Sequence, residues 1–242
     1  MFSAFAWGMG AAGSLVIGAL LASYIQIPRR VLGLVMAFGV GVLMSAISFE
    51  LAEEAFTSTH QSWAVGVGLM SGALTYFVGN FLIDRAGGRA HRKQKPEDGS
   101  GTAILLGTIL DGIPESIVIG LTLVHGGAIS VAMVAAVFLS NLPEAIGATS
   151  GLLHNKWRRV KVLGLWVAVA ITSGAASWAG YAFFDTASSA VLGFTLAFAA
   201  GALITMLADT MMPDAFRDSG RLVGLMTTIG FGLAFMVSMT SN

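Results

Sequence analysis

The sequence predicts an all-α integral membrane protein of eight transmembrane helices, and three observations carry that prediction. Of the 242 residues, 55% are hydrophobic and only 11% charged, against roughly 25% charged in soluble domains. Apolar runs of about 20 residues, the helix length that crosses a hydrocarbon core of roughly 30 Å, recur eight times. Every Lys and Arg follows an odd-numbered run, the one-sided placement that orients a multi-pass protein.

The first run, Phe5 to Ile27, precedes the first basic residue, Arg29; it lacks the charged start of a cleavable leader and is expected to be a span. The others are Val31 to Leu51, Trp63 to Ile83, Thr102 to Val124, Ile129 to Leu153, Val160 to Phe184, Ala187 to Ala208 and Leu222 to Met239. Together they make one transmembrane domain over residues 1–242. The 31 glycines suit helices that associate through close backbone approach. No cysteine is present, which excludes disulfides and thiolate metal ligands.

The basic residues group as Arg29 and Arg30, Arg85 to Lys95, Lys156 to Lys161, and Arg217 with Arg221. Positive-inside orientation turns these four segments to the cytoplasm and both termini outward, as expected of a multi-pass plasma-membrane protein. The polar stretch "DRAGGRAHRKQKPEDGSG", residues 84–101, reads as a mobile cytoplasmic linker whose charge sets topology. No nucleic-acid role is expected of it.

Residues Ala37 to Phe56, "AFGVGVLMSAISFELAEEAF", align without a gap to Ala197 to Phe216, "AFAAGALITMLADTMMPDAF". The first lies in span two and the second in span seven, five crossings later, so the copies run in opposite directions through the bilayer. "DGIPES" in span four and "SNLPEA" in span five form a second such pair. A 3+2+3 arrangement follows, with spans one to three and six to eight related by an inverted repeat, as in transporters that expose a central site alternately to each side.

Asp111, Glu115 and Glu144 fall toward the middle of spans four and five. A charged carboxylate there costs about 2.5 to 3.5 kcal/mol, so it requires a partner. The central stretches hold no Lys, Arg or His, which leaves a proton or a bound cation. Asp111 and Glu115, four apart, share a helix face, as do Asn141 and Glu144, three apart. Pro114 and Pro143 each release a helix carbonyl beside them. Carboxylates with an amide oxygen suit a divalent metal harder in preference than a His or Cys zinc site takes.

Secondary candidates are Ser140, which can hydrogen-bond a ligand or water, and Met44, a soft donor in span two. Glu50, Glu53 and Glu54 are expected at the outer mouth, Asp209 and Asp214 at the inner one, where negative charge concentrates cations. His60, His91, His125 and His154 lie in or near loops and are assigned to none of these sites.

These residues resemble the ZIP (Zrt/Irt-like) family of divalent-metal transporters, in its bacterial form, over nearly the whole chain. The resemblance rests on eight spans with both ends outside, the basic segment after span three, the Pro and Glu motifs of spans four and five, and the endings "FELAEEAF" and "ADTMMPDAF". The family's span-four motif reads His, Asn, two residues, Glu; those places are Asp111, Gly112 and Glu115 here. Its span-five polar pair and Glu fall on Ser140, Asn141 and Glu144. With His and Asn replaced, the resemblance implies one metal held by Asp111, Glu115, Asn141 and Glu144. It also implies a homodimer and an elevator-like movement of the helices bearing the site.

The expected function is therefore alternating-access uptake of a divalent cation into the cytoplasm, Zn2+ first, with Fe2+, Mn2+ and Cd2+ close behind. The metal is substrate; no catalytic cofactor and no enzyme activity are expected. Two other classes fit fewer of the features: an intramembrane hydrolase using metal- or carboxylate-activated water, and a metal sensor with a transporter's fold.

Overall fold

The computed structural model describes residues 2–59, 62–83, 85, 112–124 and 130–241. Seven helices among the described residues are long and apolar enough to cross a membrane, and a shorter apolar helix spans Gly112–Leu121. In chain order they are α1 (Phe2–Tyr24), α2 (Arg29–Ala46), α3 (Ala52–Thr59), α4 (Ser62–Ile83), α5 (Gly112–Leu121), α6 (Val131–His154), α7 (Arg159–Phe184), α8 (Ser189–Met206), α9 (Met212–Ser219) and α10 (Leu222–Ser241). Residues 102–111, the first half of the expected span four, and nearly all of the 84–101 linker lie outside the described residues.

Local chemistry fixes several boundaries. Ser130 caps α6 by accepting from the Met133 N–H at 2.8 Å, supplying one of the donors a helix start leaves open with an acceptor. Gly220, at φ +62°, ends α9, and Leu222 begins α10 two residues on; a side chain would be strained at that φ. Helix α6 continues without a break through Pro143, although that residue leaves the Leu139 carbonyl without its usual donor.

Spans two and seven run past their expected ends. Five-residue π-helical turns, Ile47–Leu51 and Leu207–Met211, join α2 to α3 and α8 to α9. In each, an N–H reaches back five residues, Ala52 to the Ile47 carbonyl and Met212 to the Leu207 carbonyl. The extra residue turns the following helix by about 100°. The hydropathy drop at Glu50 and Asp209 signals a span end, yet these acids lie inside one continuous helical rod each.

The boundaries of the two segments coincide at a constant spacing. Arg29, Ala46, Ile47, Leu51, Ala52, Thr59 and Ser62 are each followed 160 residues later by the matching boundary at Ser189, Met206, Leu207, Met211, Met212, Ser219 and Leu222.

Helices cross at glycines. A side chain on Gly41 would meet the Thr227 backbone and one on Gly230 the Phe38 backbone, joining α2 to α10; Gly201 against Leu69 and Gly72 against Phe198 join α8 to α4. Likewise Gly120 lies on Ser177 and Gly180 on Ile117, joining α5 to α7, and Gly18 approaches the Leu142 carbonyl where α1 crosses α6. Two apolar clusters result. The larger takes residues from α2, α8 and the π-turns, with Val118, Ile119 and Leu121 of α5 and Met133, Ala136 and Val137 of α6. The smaller joins α1, α6 and α7 around Trp166, whose indole N–H donates to the Thr149 hydroxyl at 2.8 Å.

Helices α2, α6 and α8 bury half or more of their span windows, whereas α4 and α10 bury 17% each. Their exposed faces are apolar, with Trp63, Met70, Leu74 and Phe77 on α4 and Leu225, Ile229, Leu233 and Met236 on α10, as lipid contact requires.

Candidate metal centre

Helix α6 changes allegiance partway along. Its first turns give Met133, Ala136 and Val137 to the larger cluster, and its last turns give Ala145, Ala148 and Leu152 to the smaller. Ser140, Asn141, Pro143 and Glu144 occupy the stretch between. That stretch crosses α2 at Gly39, where an added Cβ would stand 3.2 Å from the Ser140 nitrogen and 3.3 Å from the Leu139 carbonyl oxygen. The carbonyl released by Pro143 therefore lies at the crossing with α2.

The polar residues of this stretch are buried, Ser140 1% exposed and Asn141 3%, and so are Glu115 (2%) and Ser116 (1%) on α5. Glu144 is half-buried. The Ser116 hydroxyl donates to the Gly112 carbonyl at 2.7 Å and the Ser140 hydroxyl to the Val137 carbonyl at 3.0 Å. Ser140 thus keeps its oxygen lone pairs for accepting but has committed its proton to its own helix. Glu115 precedes Val118, Ile119 and Leu121, the α5 residues of the larger cluster, by three to six positions.

Asp111 lies outside the described residues. Among the described residues no three His, Asp or Glu side chains converge on one point, so the expected ligand set has Glu115, Asn141 and Glu144 within the structure and its third carboxylate beyond it. His154 is exposed at the end of α6, away from the buried polar stretch; His60, His91 and His125 lie outside the described residues. Met44 is 36% exposed on α2.

The expected mouth acids fall in unlike settings. Glu50, half-buried in the first π-turn, accepts a hydrogen bond from the Ser130 hydroxyl. Glu53 is exposed and Glu54 half-buried on α3. Asp209 is exposed in the second π-turn. Asp214 is ion-paired to Arg217 at 2.8 Å, so part of the negative charge expected at that mouth is neutralised within α9.

Two residues escaped the sequence reading. Ser130 stands just before an apolar run, the usual position of a helix cap, but nothing in its neighbours points to a carboxylate 80 positions earlier. Gly39 is one glycine among many, and only its contact with Leu139 and Ser140 singles it out.

No family model matches the chain. Over 207 residues, 84% of its length, it is 24% identical to an Arabidopsis thaliana protein described as "Putative zinc transporter". The chain spans about a third of that relative, 33% of its length.

Proposed function

We propose that this chain is a ZIP-type transporter, with Zn2+ the first candidate substrate and Fe2+, Mn2+ and Cd2+ the next, and that it carries the ion into the cytoplasm by alternating access. The observation that carries the reading is the burial of Ser140 and Asn141 in the α6 stretch between two apolar clusters, with Glu144 on the same face of α6 and a second carboxylate, Glu115, buried on α5. Similarity over most of the chain to a protein described as a zinc transporter supports it, and favours transport over hydrolysis or sensing.

A divalent cation offsets the charge of acids that would otherwise cost about 2.5 to 3.5 kcal/mol apiece in the bilayer. In this proposal Glu115 binds the ion from α5, together with Asp111 just before that helix in the sequence. Asn141 and Glu144 complete the site from α6, and Ser140 accepts from a coordinated water. Oxygen donors favour the harder divalent ions over Cu+.

The proposed orientation is supported by contacts at the two ends. Arg159 lies over the Tyr24 ring, 5.3 Å from its centre, and the Ser219 hydroxyl donates to the Arg30 carbonyl at 2.7 Å. Basic residues after spans one, five and seven thereby gather at one end of the bundle. Glu50, in the π-turn beyond α2, meets Ser130 at the start of α6, as the later part of span two and the start of span five must if eight crossings alternate. The constant 160-residue spacing supports the inverted repeat. The glycine crossings support it too, because α2 packs on α10 as α8 packs on α4.

Homodimers and an elevator-like movement complete the reading. Movement would occur along the seam, with α1, α5, α6 and α7 travelling against the remaining helices. Purified protein in liposomes, offered a panel of divalent ions, tests the proposal. Protein-dependent accumulation of Zn2+ or a near neighbour is the expected result, and binding without accumulation would leave a sensor in its place.

A further inference from the structure

The helices divide into a set around α2, α4, α8 and α10 and a set around α1, α5, α6 and α7, and α2 crosses α6 closely between them. At its middle the crossing is backbone on backbone, Gly39 on Leu139 and Ser140. Near its end lies a polar contact of another kind: the Ser130 hydroxyl donates to the Glu50 carboxylate while its oxygen accepts from the Met133 N–H at 2.8 Å. One serine side chain thus both caps α6 and ties that helix to the π-turn of α2.

We infer that the Glu50–Ser130 hydrogen bond is a latch that holds α6 against α2 at this end of the bundle, and that it opens whenever the seam is entered from that end. Three features support a latch over a passive contact. The bond joins the two sets of helices, whereas the Ser219–Arg30 and Thr227–Ala37 bonds stay within one set and Trp166–Thr149 within the other. Its acceptor sits in a π-turn, a helical defect that can relax to ordinary α-helix by shifting one residue. The serine oxygen keeps its cap on the Met133 N–H on opening, so release leaves only the hydroxyl proton and the half-buried carboxylate to find water. Glu50 and Ser130 are positioning residues here, acting through α6 on Asn141 and Glu144.

The meaning of the latch for uptake rests on the transport reading, but the latch itself can be measured without transport. The chain has no cysteine, so Met133→Cys supplies a single thiol at a buried position of the first α6 turns. Its labelling by a membrane-impermeant maleimide, with protein in liposomes and folding checked by size-exclusion chromatography, reports opening. We expect Ser130→Ala and Glu50→Ala each to raise the labelling rate about fivefold or more. The double variant should be no faster than Ser130→Ala alone, which already removes the Glu50 bond together with the cap, and Ser130→Thr, which keeps hydroxyl and cap, should retain the slow rate. Unchanged labelling in both single variants, multiplied effects in the double variant, or fast labelling in Ser130→Thr would each overturn the latch. Such a result beside normal metal uptake leaves the transport reading standing; shifted labelling in a protein that moves no metal leaves the latch standing alone.

Discussion

Phe38 and Phe198 do the same work 160 residues apart: the carbonyl of each lies against a glycine of a helix from the other segment, Gly230 for Phe38 and Gly72 for Phe198. A helix carbonyl already engaged in its own helix cannot retreat from an added methyl group. Each crossing therefore depends on the missing side chain.

Substituting Ala at Gly72 or Gly230 should cost about 1 to 3 kcal/mol of stability, because helix backbone must move apart to admit the Cβ. Ala at Gly66 or Gly232, where nothing lies within 4 Å of the added carbon, should leave stability unchanged or slightly raised. Thermal unfolding in detergent, followed by the fraction that remains monodisperse, distinguishes the two groups.

The Trp166–Thr149 bond is fully buried in the smaller cluster. Trp166→Phe removes the indole donor and leaves a gap beside it, so the loss should be about 2 kcal/mol or more. Thr149→Val strands the indole N–H and should cost about 1 to 3 kcal/mol. The two losses should combine to less than their sum, which the double variant measures in the same unfolding assay.

Orientation is testable because every introduced cysteine is the only one. Thr186→Cys, at an exposed position after α7, should react with an impermeant maleimide in intact cells. Arg158→Cys, exposed at the start of α7, should react only after permeabilisation. The reverse pattern would invert the whole topology and with it the proposed direction of uptake.

Much of the helical architecture is legible in one sequence because hydrophobic length is a strong, local signal. The span ends at Glu50 and Asp209 were not, since a π-turn keeps the backbone satisfied past a polar residue and hydropathy registers only the polarity. The 160-residue correspondence was visible over Ala37 to Phe56 and extends in the structure to α4 and α10, whose glycines and lipid-facing residues differ too much to align by eye. At the candidate site, Glu115 and Asn141 are buried. The seam in which Asn141 lies could not be read, because it depends on which cluster each turn of α6 joins. Asp214 shows the limit of counting charges: Arg217, three residues on, neutralises a carboxylate that looked like part of a cation-attracting mouth.

The central claim is that buried carboxylates on α5 and α6 bind a divalent cation, and calorimetric titration of Zn2+ into the purified protein tests it most directly, with Glu115→Ala and Glu144→Ala alongside. The account predicts saturable binding to the native protein, weakened at least about tenfold in either variant while both remain folded. Binding of equal strength in all three proteins would contradict it.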